Sequence, residues 1–273
     1  QRWPASADFR HFSSLIVTLQ LMMTSSLGIA YFTFAYSCEQ NIDAIKNKAV
    51  EVLKEKEFNS FRITTKRSNK RFELTSQEVS EKVGAKVVEA YDKKVDLEDY
   101  DLNLRIEIVE DYAFIYFEKI KGVGGLPVGV SGKVISLLSG GIDSPVASYY
   151  AMKRGAELVY IHFSSYPFTE QKSVEKAEKI VDELNKFQIN SKLYIVPFSD
   201  IQQQILTNCE GSFRVILYRR FMLRIAERIA EKEKAKALLT GESIGQVASQ
   251  TLENMRAVEE VSNLPVLRPL VGM

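Results

Sequence analysis

Histidine and cysteine are the scarcest chemistry-bearing side chains in this sequence. Only His11 and His162 occur among 273 residues, which excludes a His-rich metal centre and leaves no Ser-His-Asp set to assemble. The two cysteines, Cys38 and Cys209, lie far apart, with no Cys-x-x-Cys and no Cys/His cluster, so neither a zinc site nor a disulfide framework can be read from them. That usage fits a reducing, cytoplasmic setting. An excess of one charge is also missing. Lys and Arg number 36 against 35 Asp and Glu, so nothing global calls for nucleic acid, and any surface for it must be local. Charge is absent altogether from Phe12 to Cys38. A run of that length is long enough to cross a membrane, and Arg2 and Arg10 precede it as they would a signal anchor. Thr24, Ser25, Ser26 and Gly28 interrupt it, and residues 27–36 alternate in part like a strand, so we expect a buried segment and no membrane. Residues 1–26 carry no pattern that points to a function.

What is present suits a folded protein of one large domain or two ordinary ones: 45% hydrophobic residues build a core, and 26% charged residues are normal for a globular surface. Residues 41–57 read as an amphipathic helix with Ile42, Ile45, Ala49, Val52 and Leu53 on one stripe. Residues 60–65 read as a strand, followed by a basic loop, Lys66-Arg67-Ser68-Asn69-Lys70-Arg71. Thr75 and Glu78 have the spacing of a capping box and open a helix to about Glu89. Leu104 to Ile108 alternates strictly, Glu110-Asp111 turns, and Ala113 to Phe117 returns as a second strand. This order makes a small α+β module over residues 27–120. Five glycines and a proline then crowd into residues 121–132, either as a linker or as an ordered loop approaching a ligand.

From Lys133 to Met273 the rhythm changes. Strands at 133–138, 157–163, 192–196 and 237–240 alternate with helices at 144–154, 170–187 and 215–232. That alternation predicts an α/β fold, a parallel sheet with helices on both faces and its ligand beyond the C-terminal strand ends. Ser139-Gly140-Gly141-Ile142-Asp143-Ser144 lies between the first strand and the first helix. Gly140 and Gly141 let backbone N–H groups approach an anion, the helix adds the positive end of its dipole, and Ser139 and Ser144 supply hydroxyl donors. Asp143 would repel a phosphate unless a cation sat between them, which implies Mg²⁺. No Gly-Lys-Ser/Thr follows, so this is not a Walker A loop, nor is it the dinucleotide fingerprint.

The loop resembles the PP-loop of the ATP pyrophosphatase superfamily, whose members adenylate a substrate oxygen and release pyrophosphate. A second signature, Thr240-Gly241-Glu242-Ser243-Ile244-Gly245-Gln246-Val247-Ala248-Ser249-Gln250-Thr251-Leu252-Glu253-Asn254, narrows the choice. With Leu217-Tyr218-Arg219-Arg220-Phe221-Met222 and Leu267-Arg268-Pro269-Leu270, it resembles the tRNA 4-thiouridine synthetase (tRNA sulfurtransferase) family from about Leu27 onward. The resemblance implies that residues 27–120 form a THUMP-like tRNA-binding domain and residues 133–273 a PP-loop domain of the adenine nucleotide alpha hydrolase type. It implies catalytic roles for Ser139, Asp143 and Ser144, with Mg²⁺ on Asp143. It also implies ATP contacts from Leu137, Leu138, Gly140, Gly141, His162, Phe163, Arg219, Gly241 and Gln250.

With a tRNA-modifying domain behind them, Arg62, Lys66, Arg67, Lys70 and Arg71, five cations in ten residues without an acid, are expected to meet RNA phosphates. The implied reaction adenylates the 4-oxygen of the uridine at position eight, and a persulfide sulfur then replaces it. The implied partners are tRNA and a cysteine desulfurase or other persulfide donor, and the family admits a homodimer and a role in thiamine thiazole synthesis. Family members continue beyond the point matching Met273 and carry the sulfur-transfer cysteine there, so the expectation is a C-terminally incomplete PP-loop domain. The alternatives are a tRNA- and ATP-binding module without complete thiolation, or another PP-loop tRNA thiolase.

Overall fold

The computed structural model describes residue 20, residues 22–166 and residues 172–273. The start of the helix expected at Glu170 and most of residues 1–26 fall outside these. Among the described residues no helix is long and apolar enough to cross a membrane. Two compact units emerge: Tyr31–Lys121, and Gly122–Met273 together with the described residues before Tyr31.

In the first unit, β1 (Tyr31–Phe32) pairs antiparallel with β7 (Ile120–Lys121). A five-stranded sheet runs in the order β2 (Tyr36–Glu39), β6 (Tyr112–Tyr116), β5 (Leu102–Ile108), β3 (Ser60–Arg67), β4 (Lys94–Val95). Helices α1 (Ile42–Leu53) and α2 (Ser76–Tyr91) bury their apolar stripes against it, and Ile45, Leu53, Val79, Val83, Phe61, Ile106 and Ile115 form one core. Asn41 caps α1 by accepting from the Ala44 N–H. Thr75 and Glu78 make the expected reciprocal capping box on α2. The structure corrects the placement of the basic residues. Lys66 and Arg67 belong to β3, not to a loop, because they continue its parallel pairing with Glu107 and Ile108.

In the second unit all four strand pairings are parallel, in the order β10 (Leu193–Pro197), β9 (Glu157–Ser164), β8 (Lys133–Leu137), β11 (Ala237–Leu239), β12 (Val266–Leu267). Side-chain alternation splits these strands between two cores. Val134, Leu158, Tyr160 and Leu239 pack with α3 (Asp143–Lys153) and α4 (Lys172–Leu184). Ile135, Val159, Ile161 and Leu238 pack with α6 (Arg214–Glu233) and α7 (Leu252–Glu259). Helices therefore cover both faces, as the strand-helix rhythm requires. Another helix, α5 (Ser199–Asn208), precedes α6. The Gly-rich stretch is ordered against this unit: Leu126 donates its N–H to the Lys153 carbonyl and Gly129 donates to Gly155.

The strand order fixes where a ligand can enter. From β8 the chain moves outward through β9 to β10, then returns to the other side of β8 as β11. Strand order reverses between β8 and β11, and in open α/β sheets the crevice beyond such a reversal is where ligands bind. The opposite end of the sheet holds a structural cluster. There Glu233, at the end of α6, accepts from Lys192 Nζ at 2.9 Å and Tyr194 Oη at 2.6 Å.

Candidate functional site

Strand β8 ends in Leu137, and the chain turns through Ser139-Gly140-Gly141-Ile142 into α3. The turn is shaped by its own hydroxyls. Ser144 Oγ accepts from the Ser139 N–H at 2.9 Å and lies 3.1 Å from Ser139 Oγ, which in turn accepts from the Gly141 N–H at 3.2 Å. Small residues on the buried face of α3 seat it close to β8, and Ser148 Oγ meets Ser136 Oγ at 2.8 Å. Ile142 occupies the N-cap position and makes no side-chain cap. The first turn of α3 therefore keeps unsatisfied N–H groups, which an anion can accept. Pro145 in that turn brings no N–H of its own and sets φ for the helix.

A cavity opens beside this turn, between the C-terminal ends of β8 and β11 and against α6. It is lined by Leu137, Ser139, Asp143, Ser144, Arg219, Gly241 and Gln250, all expected from the sequence. Met222, Leu223, Thr240, Glu242 and Val258 complete its wall. Leu138, Gly140, Gly141, His162 and Phe163 do not line it. Leu138 is buried, and its carbonyl oxygen lies 3.0 Å from His162 Nδ1. Phe163 packs edge-on to Phe198, with ring centroids 5.4 Å apart. These two expected contacts sit at the neighbouring strand end, on β9, because β8 and β9 are adjacent and in register.

Two buried acceptors call for donors. His162 is 5% exposed, and with Nδ1 donating to Leu138 its Nε2 is an acceptor without a partner. Gln250, 7% exposed in the cavity wall, has an unpartnered Oε1. Buried polar groups are rarely left unsatisfied, so amino or hydroxyl groups of a ligand, or water, are the natural complement.

Asp143 is held on one side only, where Gln246 Nε2 donates to its Oδ2 at 3.2 Å. Among the described residues no group of three or more His, Cys, Asp or Glu is arranged to hold a metal. A single carboxylate beside hydroxyls, open to incoming phosphate oxygens, is a donor set that suits Mg²⁺, which binds through one or two carboxylates and the phosphates of its substrate.

Glu242 lies within the second signature but is not among the ATP contacts expected from it. The structure places its buried carboxylate between two guanidinium groups. Arg219 Nη1 lies 2.8 Å from Oε1, Arg268 Nε lies 2.9 Å from Oε2, and Thr240 Oγ1 donates to Oε2 at 3.0 Å. Burial works against the Arg268 charge, but its hydrogen bonds to Glu242 and Glu259 outweigh it and raise its pKa above the ordinary value.

In the first unit the five expected cations separate. Arg67 Nη1 donates to the carbonyls of Phe72 and Leu74 and so secures the turn after β3. Arg62 Nη1 donates to the Leu97 carbonyl. Lys66 is exposed but not without an acid: it lies 2.9 Å from Glu107, whose hydrogen bond raises its pKa. Lys70 and Arg71 are exposed on the turn.

The thiamine biosynthesis protein (ThiI) family model matches residues 129–273, and the THUMP domain model matches residues 39–118. A Thermus thermophilus protein named as a probable tRNA sulfurtransferase is 43% identical over 99% of this chain and 66% of its own length. A Brevibacillus brevis protein of the same name is 45% identical over 90% of this chain and 62% of its own. The chain thus spans a little under two thirds of the length of these curated relatives. Among solved structures, a 4-thiouridine synthetase in complex with RNA and bound ATP superposes with a TM-score of 0.82 at 35% identity, over 93% of this chain and 67% of that one.

Proposed function

We propose, since the chain belongs to the ThiI family and carries a THUMP domain, that it activates a tRNA uridine with ATP for replacement of the 4-oxygen by sulfur. The observation that carries this reading is the cavity between β8 and β11. It joins an uncapped helix start and a serine-glycine turn, suited to phosphates, to an apolar wall with an orphaned amide oxygen, suited to a base.

In this reading the first-turn N–H groups of α3, Gly140, Gly141, Ser139 and Ser144 hold the phosphates. Leu137, Met222, Leu223 and Val258 exclude water around the base. Gln250 accepts from the nucleoside, and Arg219 adds a cation. Asp143 would hold Mg²⁺, which supplies charge neutralisation for the departing pyrophosphate. Fixed donors aimed at developing charge are the main means by which such a site accelerates reaction. The uridine O4 attacks the α-phosphorus, the bond to the bridging oxygen breaks, and pyrophosphate leaves. The terminal sulfur of a persulfide donor, such as a cysteine desulfurase, then attacks C4 and AMP departs; a second thiolate attacks the donor-side sulfur of the resulting disulfide, which frees the 4-thiouridine and leaves the two thiols joined as a disulfide. The uridine at position eight is the proposed target, a sulfur contribution to thiamine thiazole a further role, and the cytoplasm the setting. Pyrophosphate release with ATP and unmodified tRNA tests the first step. We expect release that depends on the RNA. Release that is equal without RNA, or none at all, would overturn the reading.

The first unit, residues 31–121, would bind the RNA. With Arg62 and Arg67 committed to backbone carbonyls, Lys66, Lys70 and Arg71 remain as the phosphate contacts. Replacing these three with Gln should weaken tRNA binding and flatten its dependence on log salt by about 2–3, nearly one per lost contact. Arg67→Gln alone should lower the melting temperature through its lost carbonyl bonds. An unchanged salt slope in the triple variant would remove this segment from the interface.

A further inference from the structure

Glu242 poses an electrostatic puzzle. It lines the cavity proposed to take a nucleotide, yet it is a carboxylate, 9% exposed, where anionic phosphates would enter. Read by charge alone, it should oppose binding. Its contacts indicate otherwise. Each carboxylate oxygen is engaged by a separate guanidinium, Arg219 on Oε1 and Arg268 on Oε2, with Thr240 Oγ1 also on Oε2. The charge is already compensated, and the trio of Glu242, Arg219 and Arg268 is net positive.

The two arginines differ in placement. Arg219 lines the cavity, whereas Arg268 does not. Arg268 is anchored from the far side, its Nη1 2.7 Å from Glu259 on α7. Arg219 is gripped through one nitrogen only: Nη1 donates to Glu242 at 2.8 Å and to the Ser249 carbonyl at 3.3 Å. Among the described residues, its Nε and Nη2 make no hydrogen bond. A guanidinium fixed through one corner presents its remaining donors in a set direction, because the group is planar and rigid. Without the carboxylate, Arg219 would face a second cation across the same small space and would turn away.

We propose that Glu242 is a positioning residue: it aims Arg219 into the nucleotide cavity and uses Arg268, braced by Glu259, as the fixed side of the clamp. This rests on the reading that the cavity takes a nucleotide. It makes a prediction of opposite sign to simple charge repulsion. Glu242→Gln removes a negative charge from the cavity wall, and a merely repulsive or structural residue would then allow equal or tighter ATP binding. A positioning residue requires weaker binding.

The test is a double-mutant cycle on ATP affinity, measured by titration calorimetry on the full chain with magnesium present. Glu242→Gln should weaken ATP about tenfold or more, as should Arg219→Gln. The double variant should match Arg219→Gln within about twofold, because Glu242 acts through Arg219 and has nothing left to position. Additive losses would assign Glu242 an independent role and overturn the proposal, and so would unchanged or tighter binding by Glu242→Gln. Should Glu242→Gln alone melt below the assay temperature, the comparison passes to Arg268→Gln. That variant leaves Glu242 in place without its brace and should also weaken ATP binding, although Arg268 is outside the cavity; wild-type affinity in a folded Arg268→Gln protein would overturn the clamp. Absence of ATP binding by the wild type would instead sink the nucleotide reading itself.

Discussion

Asp143→Ala should lower RNA-dependent pyrophosphate release by at least about 10²–10³-fold, the usual loss when one charge-stabilising group is removed. RNA affinity should stay within about twofold. The two halves of this expectation have separate physical origins. Asp143 sits in the first turn of α3 and lines the cavity, where its carboxylate is the only acid on the turn from Ser139 to Ser144. Its one protein partner is the Gln246 amide, so its removal orphans no buried charge and should not unfold the domain. Its favourable interaction with the helix dipole is small beside the stability of the fold. Asp143→Asn separates charge from shape: it keeps the bond to Gln246 available but removes the anionic ligand for magnesium, and it should be nearly as damaged as the alanine variant. Activity of Asp143→Asn within tenfold of wild type would show that the residue serves the loop's shape and not a cation. Loss of RNA binding in either variant would contradict the assignment of RNA contact to the first unit.

How much of this could be read from the sequence depended on how local each feature was. The serine-glycine turn was legible because everything that makes it lies within six residues between a clean apolar strand and a helix. The Thr75–Glu78 box was legible for the same reason. Helix α5 was not, because Ile205 is its one buried residue and it leaves no stripe to detect. Strand β12 is two residues long, and only its parallel pairing with Leu238 and Leu239 defines it. The end of β3 read as a loop because Lys66 and Arg67 follow two threonines with no apolar alternation, and the pairing with β5 that makes them a strand comes from residues about forty positions away. The Glu242 clamp was invisible for a related reason. Its arginines lie 23 positions before it and 26 after it, and only the return of the chain to the far side of β8 brings them together.

Gly241 illustrates how a residue expected to touch nucleotide can act through the backbone instead. Gly241→Ala should abolish ATP binding and RNA-dependent pyrophosphate release while leaving the first unit folded. The glycine follows β11, and its α-carbon abuts the start of α3. A β-carbon there would stand 2.6 Å from the Ser144 nitrogen and 2.7 Å from the Asp143 carbonyl carbon. Real β-carbons do not approach backbone this closely, so one of the two segments must move. Overpacking costs about 1–3 kcal/mol where side chains can yield, but the atoms struck here are main chain. The segment with less holding it is the turn: β11 is paired on both sides, with β8 and β12, whereas residues 139–144 are shaped by a few hydroxyl contacts. A displacement of about 1 Å at the N–H groups and Asp143 is enough to cost about 10²-fold in rate. The effect should exceed that of removing any one side chain, because phosphate donors, Ser144 and Asp143 all shift together. Gly241→Ser should behave no better, since the added hydroxyl does not relieve the contact. Measured ATP affinity for Gly241→Ala within threefold of wild type would mean that the strand end yields and the turn does not. The close approach of β11 to α3 would then be incidental to the site.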